Sequence, residues 1–191
     1  MSKEIRKIAI TGSIGSGKSV VCQYLRDKGY DVFDCDEENS KLLQKNKKGY
    51  KAVKNVFPEC FIDDELDKKL LADIVFNDFE KKKILEMIMH PLILDELNKR
   101  KDNPLIAEVP LLFEAGWDQY FDSNLLIVTD MDIVVERSLE RGLSKKEIEK
   151  RMENQMPVEE KIKRADKIIY NNGSLSMLYS LVDEWLESII C

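Results

Sequence analysis

The hydrophobic positions in the first part of the chain change from a short continuous run to helical spacing and back. The run Ile8-Ala9-Ile10 predicts a strand that is buried on both faces, as in parallel sheets. Apolar residues then recur at helical spacing up to Gly29, and residues 31–34 predict a second short strand. A strand, a helix and a strand at this spacing indicate a βαβ unit.

Between about residues 37 and 103 the apolar positions follow helical spacing. They form groups in residues 42–57 and 70–97, separated by a break at 58–66 that begins with Pro58. We therefore expect a helical insertion between two strands of the sheet. This segment is a candidate substrate-binding subdomain.

Apolar runs resume after Asn103-Pro104 and predict three further strands, at residues 105–113, 125–128 and 168–170. Charged segments of helical spacing lie between and after them, at 132–141, 144–155 and 158–165. A last amphipathic helix is expected from Ser174, a good N-cap, to Ile190. Five parallel strands with interleaved helices predict an α/β, doubly wound sheet in a single domain over residues 1–191.

Composition and charge narrow the class of protein. The 191 residues are 43% hydrophobic and 35% charged, as in a soluble globular protein, and the formal net charge is −6. An acidic chain argues against nucleic-acid or anionic-membrane partners. There is no apolar run of roughly 18 residues, no signal-peptide pattern and no regular cysteine spacing. We therefore expect a cytoplasmic protein with reduced thiols.

Residues 12–19 fit the pattern G-x-x-x-x-G-K-[ST] between the first strand and the first helix, which predicts a phosphate-binding loop. Glycines let the backbone N–H groups turn toward phosphate oxygens. Lys18 is expected to contact the β- and γ-phosphates of ATP, and the Ser19 hydroxyl to coordinate Mg²⁺. The full set of expected ATP-binding residues in this loop is Gly12, Ser13, Ile14, Gly15, Ser16, Gly17, Lys18 and Ser19.

The rest of the chain favours a small-molecule or nucleotide kinase over other phosphate-loop proteins. A GTPase would need D-x-x-G and N-K-x-D, and neither pattern is present. No long hydrophobic strand ends in the aspartate typical of motor or transporter ATPases. A short chain with a helical insertion and a late basic helical segment fits a small kinase better.

Two carboxylates end the second predicted strand, Asp34 and Asp36. Ligands of a doubly wound sheet bind at the carboxyl ends of its strands, and we expect this end of the second strand to neighbour the phosphate loop. A carboxylate there can accept the proton of an acceptor hydroxyl and help to hold Mg²⁺. The alternative is that Asp36 only caps the next helix.

A pair of arginines four residues apart, Arg137 and Arg141, shares one face of a predicted helix. Kinase lids use such arginines to neutralise the charge on the transferring phosphoryl group. The alternative is a solvated helix, because glutamates at positions 136, 140, 147 and 149 can form surface salt bridges.

Two isolated residues are further candidates. His90, before Pro91, is either a helix-boundary residue or a contact to substrate. Glu114 follows the run Val109–Phe113, and its place at the expected carboxyl end of a strand makes it a candidate site residue.

Several segments together resemble the dephospho-CoA kinase family. They are TGSIGSGKS, the DCD pair, HPLI from His90, VPLLFE ending at Glu114, RGLSKKEIEKRMENQMP, and AD-KII-YNNG. They run in the family's order from residue 11 to 173. The phosphate loop is shared by many families, whereas the combination of DxD, HPLI and PLLFE is much more specific.

The resemblance implies a P-loop kinase that transfers the γ-phosphate of ATP to the ribose 3′-hydroxyl of dephospho-CoA, with Mg²⁺. It makes Asp36 the general base, with Asp34 supporting it or binding metal. Lys18 and Arg137 would stabilise the phosphoryl group, and a lid over about residues 136–166 would include Arg141. The helical insertion, with His90, would bind CoA. Asn172 and Gly173 lie where the family's adenine loop lies.

The sequence departs from the family pattern at Ser13, Cys35 and Val20, where Gly, Ala and Thr are usual. The side chain of Val20 cannot donate a hydrogen bond, so one contact to the α-phosphate is expected to be missing. Two other hypotheses remain open from the sequence: a kinase for another acceptor, such as a nucleoside monophosphate or shikimate, and a nucleotide-binding module without activity. The oligomeric state is open.

Overall fold

The computed structural model describes residues 6–140, 142–153 and 155–190, without the side chains of Arg151 and Ile190. Its internal contacts divide the chain into two compact units. One consists of Met1–Asp34 together with Asp102–Cys191, and the other is Cys35–Lys101.

The first unit begins with strand β1 (Lys7–Gly12), helix α1 (Lys18–Asp27) and strand β2 (Val32–Asp34). The second unit comprises α2 (Cys35–Leu42), α3 (Lys48–Val56), β3 (Phe61–Ile62), β4 (Glu65–Leu66), α4 (Lys68–Asn77) and α5 (Phe79–Asn98). The first unit then resumes with β5 (Leu105–Glu108), β6 (Ser123–Val128), α6 (Met131–Glu140), α7 (Lys145–Glu153), α8 (Val158–Arg164), β7 (Lys167–Tyr170) and α9 (Leu175–Ile190).

The sheet of the first unit has five strands in the order β2-β5-β1-β6-β7, and every neighbouring pair is parallel. This confirms the predicted five-stranded parallel sheet. It also corrects one expectation, because β5 lies between β1 and β2. The strands beside the phosphate loop are therefore β5 and β6, and the second strand of the chain is one position further away.

Strand β5, the third strand of the sheet along the chain, is shorter than predicted. It ends at Glu108, whereas the apolar pattern predicts a strand through Phe113. Pro110 has no N–H to donate to a ladder, and the residues after it form turns, with Ala115 N bonded to Leu111 O and Trp117 N to Leu112 O. Leu112 and Phe113 are still buried. The apolar run therefore reflects burial and not an extended strand, and Glu114 does not end one.

The core of the first unit joins one face of the sheet to α1 and α9. Ile8, Ile10, Leu125 and Ile127 are fully buried against α1 and α9. At the surface end of this contact the rings of Tyr24 and Tyr179 stack, with centroids 4.0 Å apart. Ser174 Oγ accepts a hydrogen bond from Met177 N at 3.3 Å, which confirms the predicted cap of α9.

The second unit is built around the 20-residue helix α5, against which α2, α3 and α4 pack. The helical pattern predicted for this region is confirmed. The break before α4 contains a feature the pattern did not indicate, a two-stranded antiparallel hairpin of β3 and β4. Among the described residues, no helix combines the length and the hydropathy required to cross a bilayer.

Candidate active site

The phosphate loop connects the end of β1 to the start of α1, as its sequence predicts. Gly15 and Gly17 have φ values of +72° and +91°, a conformation that L side chains rarely adopt. A Cβ added at Gly17 would also collide with the side-chain amide of Asn171. Both glycines are therefore required by the backbone path, and Gly17 is required by its neighbour as well.

Side chains from the ends of β6 and β7 hold the middle of the loop. Asn171, which is buried, donates from Nδ2 to Ser16 O at 2.9 Å, and Thr129 Oγ1 donates to the same oxygen at 2.9 Å. Because Ser16 O is satisfied in this way, the loop backbone is fixed from the side of the sheet. The carboxyl ends of the strands thus position the loop, as expected for a doubly wound fold.

Glu108, at the end of β5, lies under the loop. Its Oε1 accepts hydrogen bonds from Lys18 Nζ and, at 3.1 Å, from Ser19 Oγ, and its Oε2 lies 3.6 Å from Arg26 Nη2. Burial disfavours the charged carboxylate, but the hydrogen bond and charge of Lys18, with the Ser19 hydrogen bond, outweigh it and lower the pKa of Glu108. The carboxylate is therefore ionised at neutral pH and keeps the lysine ammonium at the loop.

Asp34 ends β2 and pairs in register with Glu108 of β5. Arg26 lies near both carboxylates, with Nη2 3.9 Å from Asp34 Oδ2. Asp36 belongs to the second unit, where it is exposed in the first turn of α2. The capping alternative requires Asp36 to be the residue that precedes the helix. The helix begins at Cys35, so Asp36 does not have that position.

Helix α6 lies against the loop. A Cβ at Gly15 would lie 3.0 Å from Val134 Cγ1 and 3.1 Å from Ser138 Oγ. Arg137, on the same helix, donates from Nη1 to Asn171 O at 3.2 Å. The structure therefore brings Arg137 to the group of residues that holds the loop, whereas Arg141 is outside the described residues.

The last two predicted nucleotide residues follow β7. Asn172 accepts a hydrogen bond through Oδ1 from Asp130 N at 2.9 Å, which joins the ends of β6 and β7. Gly173 is close to α9: a Cβ added at this residue would lie 2.9 Å from Met177 Sδ. Val20 lies in the first turn of α1 and packs against the core.

Glu114 lies in a cluster of its own. Its Oε1 is 2.8 Å from the ammonium of Lys161, a residue with no exposed side-chain surface, and accepts a hydrogen bond from Met156 N at 3.0 Å. The reasoning that placed Glu114 at the carboxyl end of a strand was wrong. Its Oε1 acts as the counter-ion of Lys161, and the predicted contact of Glu114 with substrate stays a prediction.

Comparison with known proteins decides which kinase family has this site. A family model described as dephospho-CoA kinase matches residues 6–177. The chain belongs to the dephospho-CoA kinase family. Dephospho-CoA kinases of Aquifex aeolicus and Thermus thermophilus are 36% and 41% identical to it, covering 97% and 90% of this chain and 98% and 85% of those proteins. The family indicated by the sequence motifs is confirmed. The chain is a transferase that acts in the last step of coenzyme A biosynthesis.

Solved structures agree with this family. The protein TT1252 from Thermus thermophilus has a TM-score of 0.85 and 38% identity, over 98% of this chain and 99% of that one. Dephospho-CoA kinase from Campylobacter jejuni has a TM-score of 0.66 and 28% identity, over 96% of each chain. Shikimate kinase from Acinetobacter baumannii, at 16% identity and a TM-score of 0.58, over 97% of this chain and 93% of that one, shares only the fold. The predicted P-loop kinase fold is confirmed.

His90 is in the interior of α5 and not at a helix boundary. It is half-buried, and burial lowers the pKa of its imidazole although Glu86 opposes the shift. His90 is therefore neutral at pH 7 and is suited to hydrogen bonding more than to pairing with a phosphate.

Sequence reasoning missed several residues of the site, above all Glu108. The signal was present, since Leu105-Ile106-Ala107 is an apolar run that ends in an acid. Because apolar residues continue to Phe113, the sequence pattern did not indicate that the strand ends at Glu108. Arg26, Thr129 and Asn171 gave no comparable signal, because their roles depend on which strands and helices meet.

One testable consequence concerns Cys22, a buried thiol on α1 below the loop. Burial, and then the neighbouring charge of Glu108, raise the pKa of this thiol far above its ordinary value. We expect iodoacetamide to modify Cys22 at least about tenfold more slowly in the native protein than in urea, because each pKa unit lowers the thiolate population tenfold. Peptide mass spectrometry measures this ratio, and equal rates in the two states would contradict the assignment.

Proposed function

We propose that this family member transfers the γ-phosphoryl group of ATP to the ribose 3′-hydroxyl of dephospho-CoA, giving coenzyme A and ADP. The observation that carries the proposal is the group of Lys18, Ser19 and Glu108 under a fixed phosphate loop, in a chain of the dephospho-CoA kinase family. In the reaction the 3′-oxygen bonds to the γ-phosphorus, and the bond from that phosphorus to the β–γ bridging oxygen breaks.

The loop residues from Gly12 to Ser19 would bind the phosphates of ATP through backbone N–H groups and the positive end of α1. Lys18 is held at the loop by Glu108, and its ammonium would offset the charge of the β- and γ-phosphates. Arg137 is placed beside the loop by its bond to Asn171 O, and would stabilise charge on the transferring group. Asn172 and Gly173 would contact the adenine.

The residues at the loop fit a Mg²⁺ ion bound together with ATP. The Ser19 hydroxyl and the carboxylates of Asp34 and Glu108 are hard oxygen ligands. Mg²⁺ is typically held by one or two such carboxylates with substrate phosphates and water. We infer that Ser19 and Asp34 hold it, with Glu108 beside them. When bound, the ion would neutralise phosphate charge.

We propose Asp36 as the general base that accepts the proton of the 3′-hydroxyl. It is exposed, and it follows by two residues the carboxyl end of β2, where ligands bind in such sheets. The second unit would then serve as the CoA-binding insertion, with His90 as a contact, and residues 136–166, including Arg141, as the lid. Glu114 is left out of the proposed substrate site because its Oε1 pairs with Lys161 and accepts a hydrogen bond from Met156 N.

The test is ADP release from ATP and Mg²⁺ with dephospho-CoA, run beside AMP, shikimate and no acceptor. We expect ADP above the background only with dephospho-CoA, and only while Mg²⁺ is present. Equal ADP release with and without dephospho-CoA would reject the proposed acceptor. We expect the reaction to take place in the cytoplasm. The formal net charge of −6 argues against a nucleic-acid partner.

A further inference from the structure

Residues 155–157 form the segment between α7 and α8. Its first two residues each make a hydrogen bond to a part of the first unit that is distant in sequence. Gln155 Oε1 accepts a hydrogen bond from the backbone N–H of Ile14, in the phosphate loop, at 3.2 Å. The next residue, Met156, donates its backbone N–H to Glu114 Oε1 at 3.0 Å. The segment therefore connects the phosphate loop to the turn that carries Glu114.

The connection to Glu114 is hard to break. Lys161, on α8, lies 2.8 Å from the same Glu114 oxygen, and its side chain has no exposed surface. A buried ammonium is costly without its counter-ion, so Glu114 must stay in place while Lys161 stays buried. Lys161 N also bonds to Pro157 O at 3.2 Å. The pair thus fixes the segment from which Gln155 reaches the loop.

On the loop side, Gln155 bonds to a different residue from the one that Asn171 and Thr129 hold. Asn171 and Thr129 bind Ser16 O, on the sheet side of the loop. Ile14 precedes Gly15, whose φ of +72° marks the sharp change in backbone direction. Side-chain hydrogen bonds to the backbone of the described loop thus reach Ser16 O from the sheet and Ile14 N from Gln155.

We propose that Gln155 is a positioning residue for phosphoryl transfer. It holds Ile14, keeps the nucleotide-free loop in the shape that binds phosphates, and is itself positioned by the Glu114–Lys161 pair. A loop that is already ordered loses less conformational entropy when ATP binds. The inference rests on the proposed function only for the identity of the nucleotide.

The test compares Gln155→Leu, which removes the acceptor at similar size, with Gln155→Glu, which keeps an acceptor. Gln119→Leu is the matched control, since Gln119 is exposed and its side chain bonds within its own turn, to Gly116 O. Three quantities are measured: amide exchange of Ile14 in the nucleotide-free protein by NMR, the Kd of ATP by calorimetry, and the KM for dephospho-CoA from ADP release.

In Gln155→Leu we expect exchange at Ile14 to rise by roughly 2- to 10-fold, the net value of one hydrogen bond, and the Kd of ATP to rise by a similar factor. Exchange should return toward the wild-type rate in Gln155→Glu, while its added charge keeps ATP binding weak. Gln119→Leu should change neither quantity. The KM for dephospho-CoA should not move in any of the three.

Two results would overturn the proposal. Unchanged exchange at Ile14 in Gln155→Leu would show that the bond does not hold the loop. Tighter ATP binding in that variant would show that Gln155 competes with a phosphate oxygen. If exchange rises but dephospho-CoA is not phosphorylated by the wild type, the positioning role stands and the proposed reaction fails.

The role of the buried pair is tested in the double variant Glu114→Leu with Lys161→Met. Removing both charges avoids leaving an unpaired ammonium in the core, so this variant is expected to fold. Because Met156 N loses its acceptor, exchange at Ile14 should rise by a factor similar to that of Gln155→Leu. A wild-type exchange rate in the folded double variant would show that the pair does not position Gln155.

Discussion

Replacing Asp36 by asparagine is expected to lower kcat for phosphorylation of dephospho-CoA by about 10²–10⁴-fold, the range for loss of a general base. The amide has nearly the shape of the carboxylate but cannot accept the proton of the 3′-hydroxyl. Asp36 is exposed on the first turn of α2, so the substitution should leave folding intact. Steady-state ADP release at saturating ATP and dephospho-CoA measures the effect.

The matched control is Glu37→Gln, which removes one negative charge at the adjacent exposed position of the same helix. It should change kcat by no more than about twofold, as expected for a surface charge. If Asp36→Asn behaves like this control, Asp36 is not the base. In that case the acids that end β2 and β5, Asp34 and Glu108, become the residues to test.

Replacing Glu114 by glutamine is expected to lower the free energy of unfolding by about 3–5 kcal/mol. The substitution removes the carboxylate charge that lies 2.8 Å from the Lys161 ammonium, whose side chain has no exposed surface. For a chain of this size 1 kcal/mol corresponds to about 2–4 °C in Tm. Thermal and urea unfolding followed by circular dichroism should therefore show a loss of roughly 6–20 °C.

Two controls separate this effect from a general loss of charge. Adding Lys161→Met to Glu114→Gln removes the unpaired ammonium and should restore most of the stability. Glu160→Gln, on the same helix, breaks an exposed pair with Lys163 and should cost no more than about 1 kcal/mol. A Glu114→Gln protein as stable as the Glu160→Gln protein would show that the buried pair contributes little.

The shape of the phosphate loop could be predicted from sequence because its determinants are local. Gly15 and Gly17 adopt positive φ values, and Lys18 begins the next helix. The buried strands were recognisable for a related reason, since a short continuous apolar run between turn residues is typical of a strand buried on both faces. The order of such segments predicted the P-loop kinase fold, and the combined motifs predicted the family.

The partner of Lys18 could not be predicted in the same way. Glu108 is 90 residues away and reaches the lysine only because β5 pairs with β1. Hydrophobic periodicity shows that a strand is buried but does not show which strand lies beside it. The expectation that the second strand neighbours the loop failed for that reason.

Sequence alone thus determined the phosphate loop, the five parallel strands, the helical segments and the family, because each follows from local backbone geometry or from residue patterns along the chain. Tertiary structure decided the strand order, the end of β5 at Glu108, and the contacts of Glu114 and Gln155. Glu114 illustrates the reason. The apolar run before it fits a strand as well as a buried turn, and only the packing of Lys161 beside it decides which chemistry the carboxylate serves.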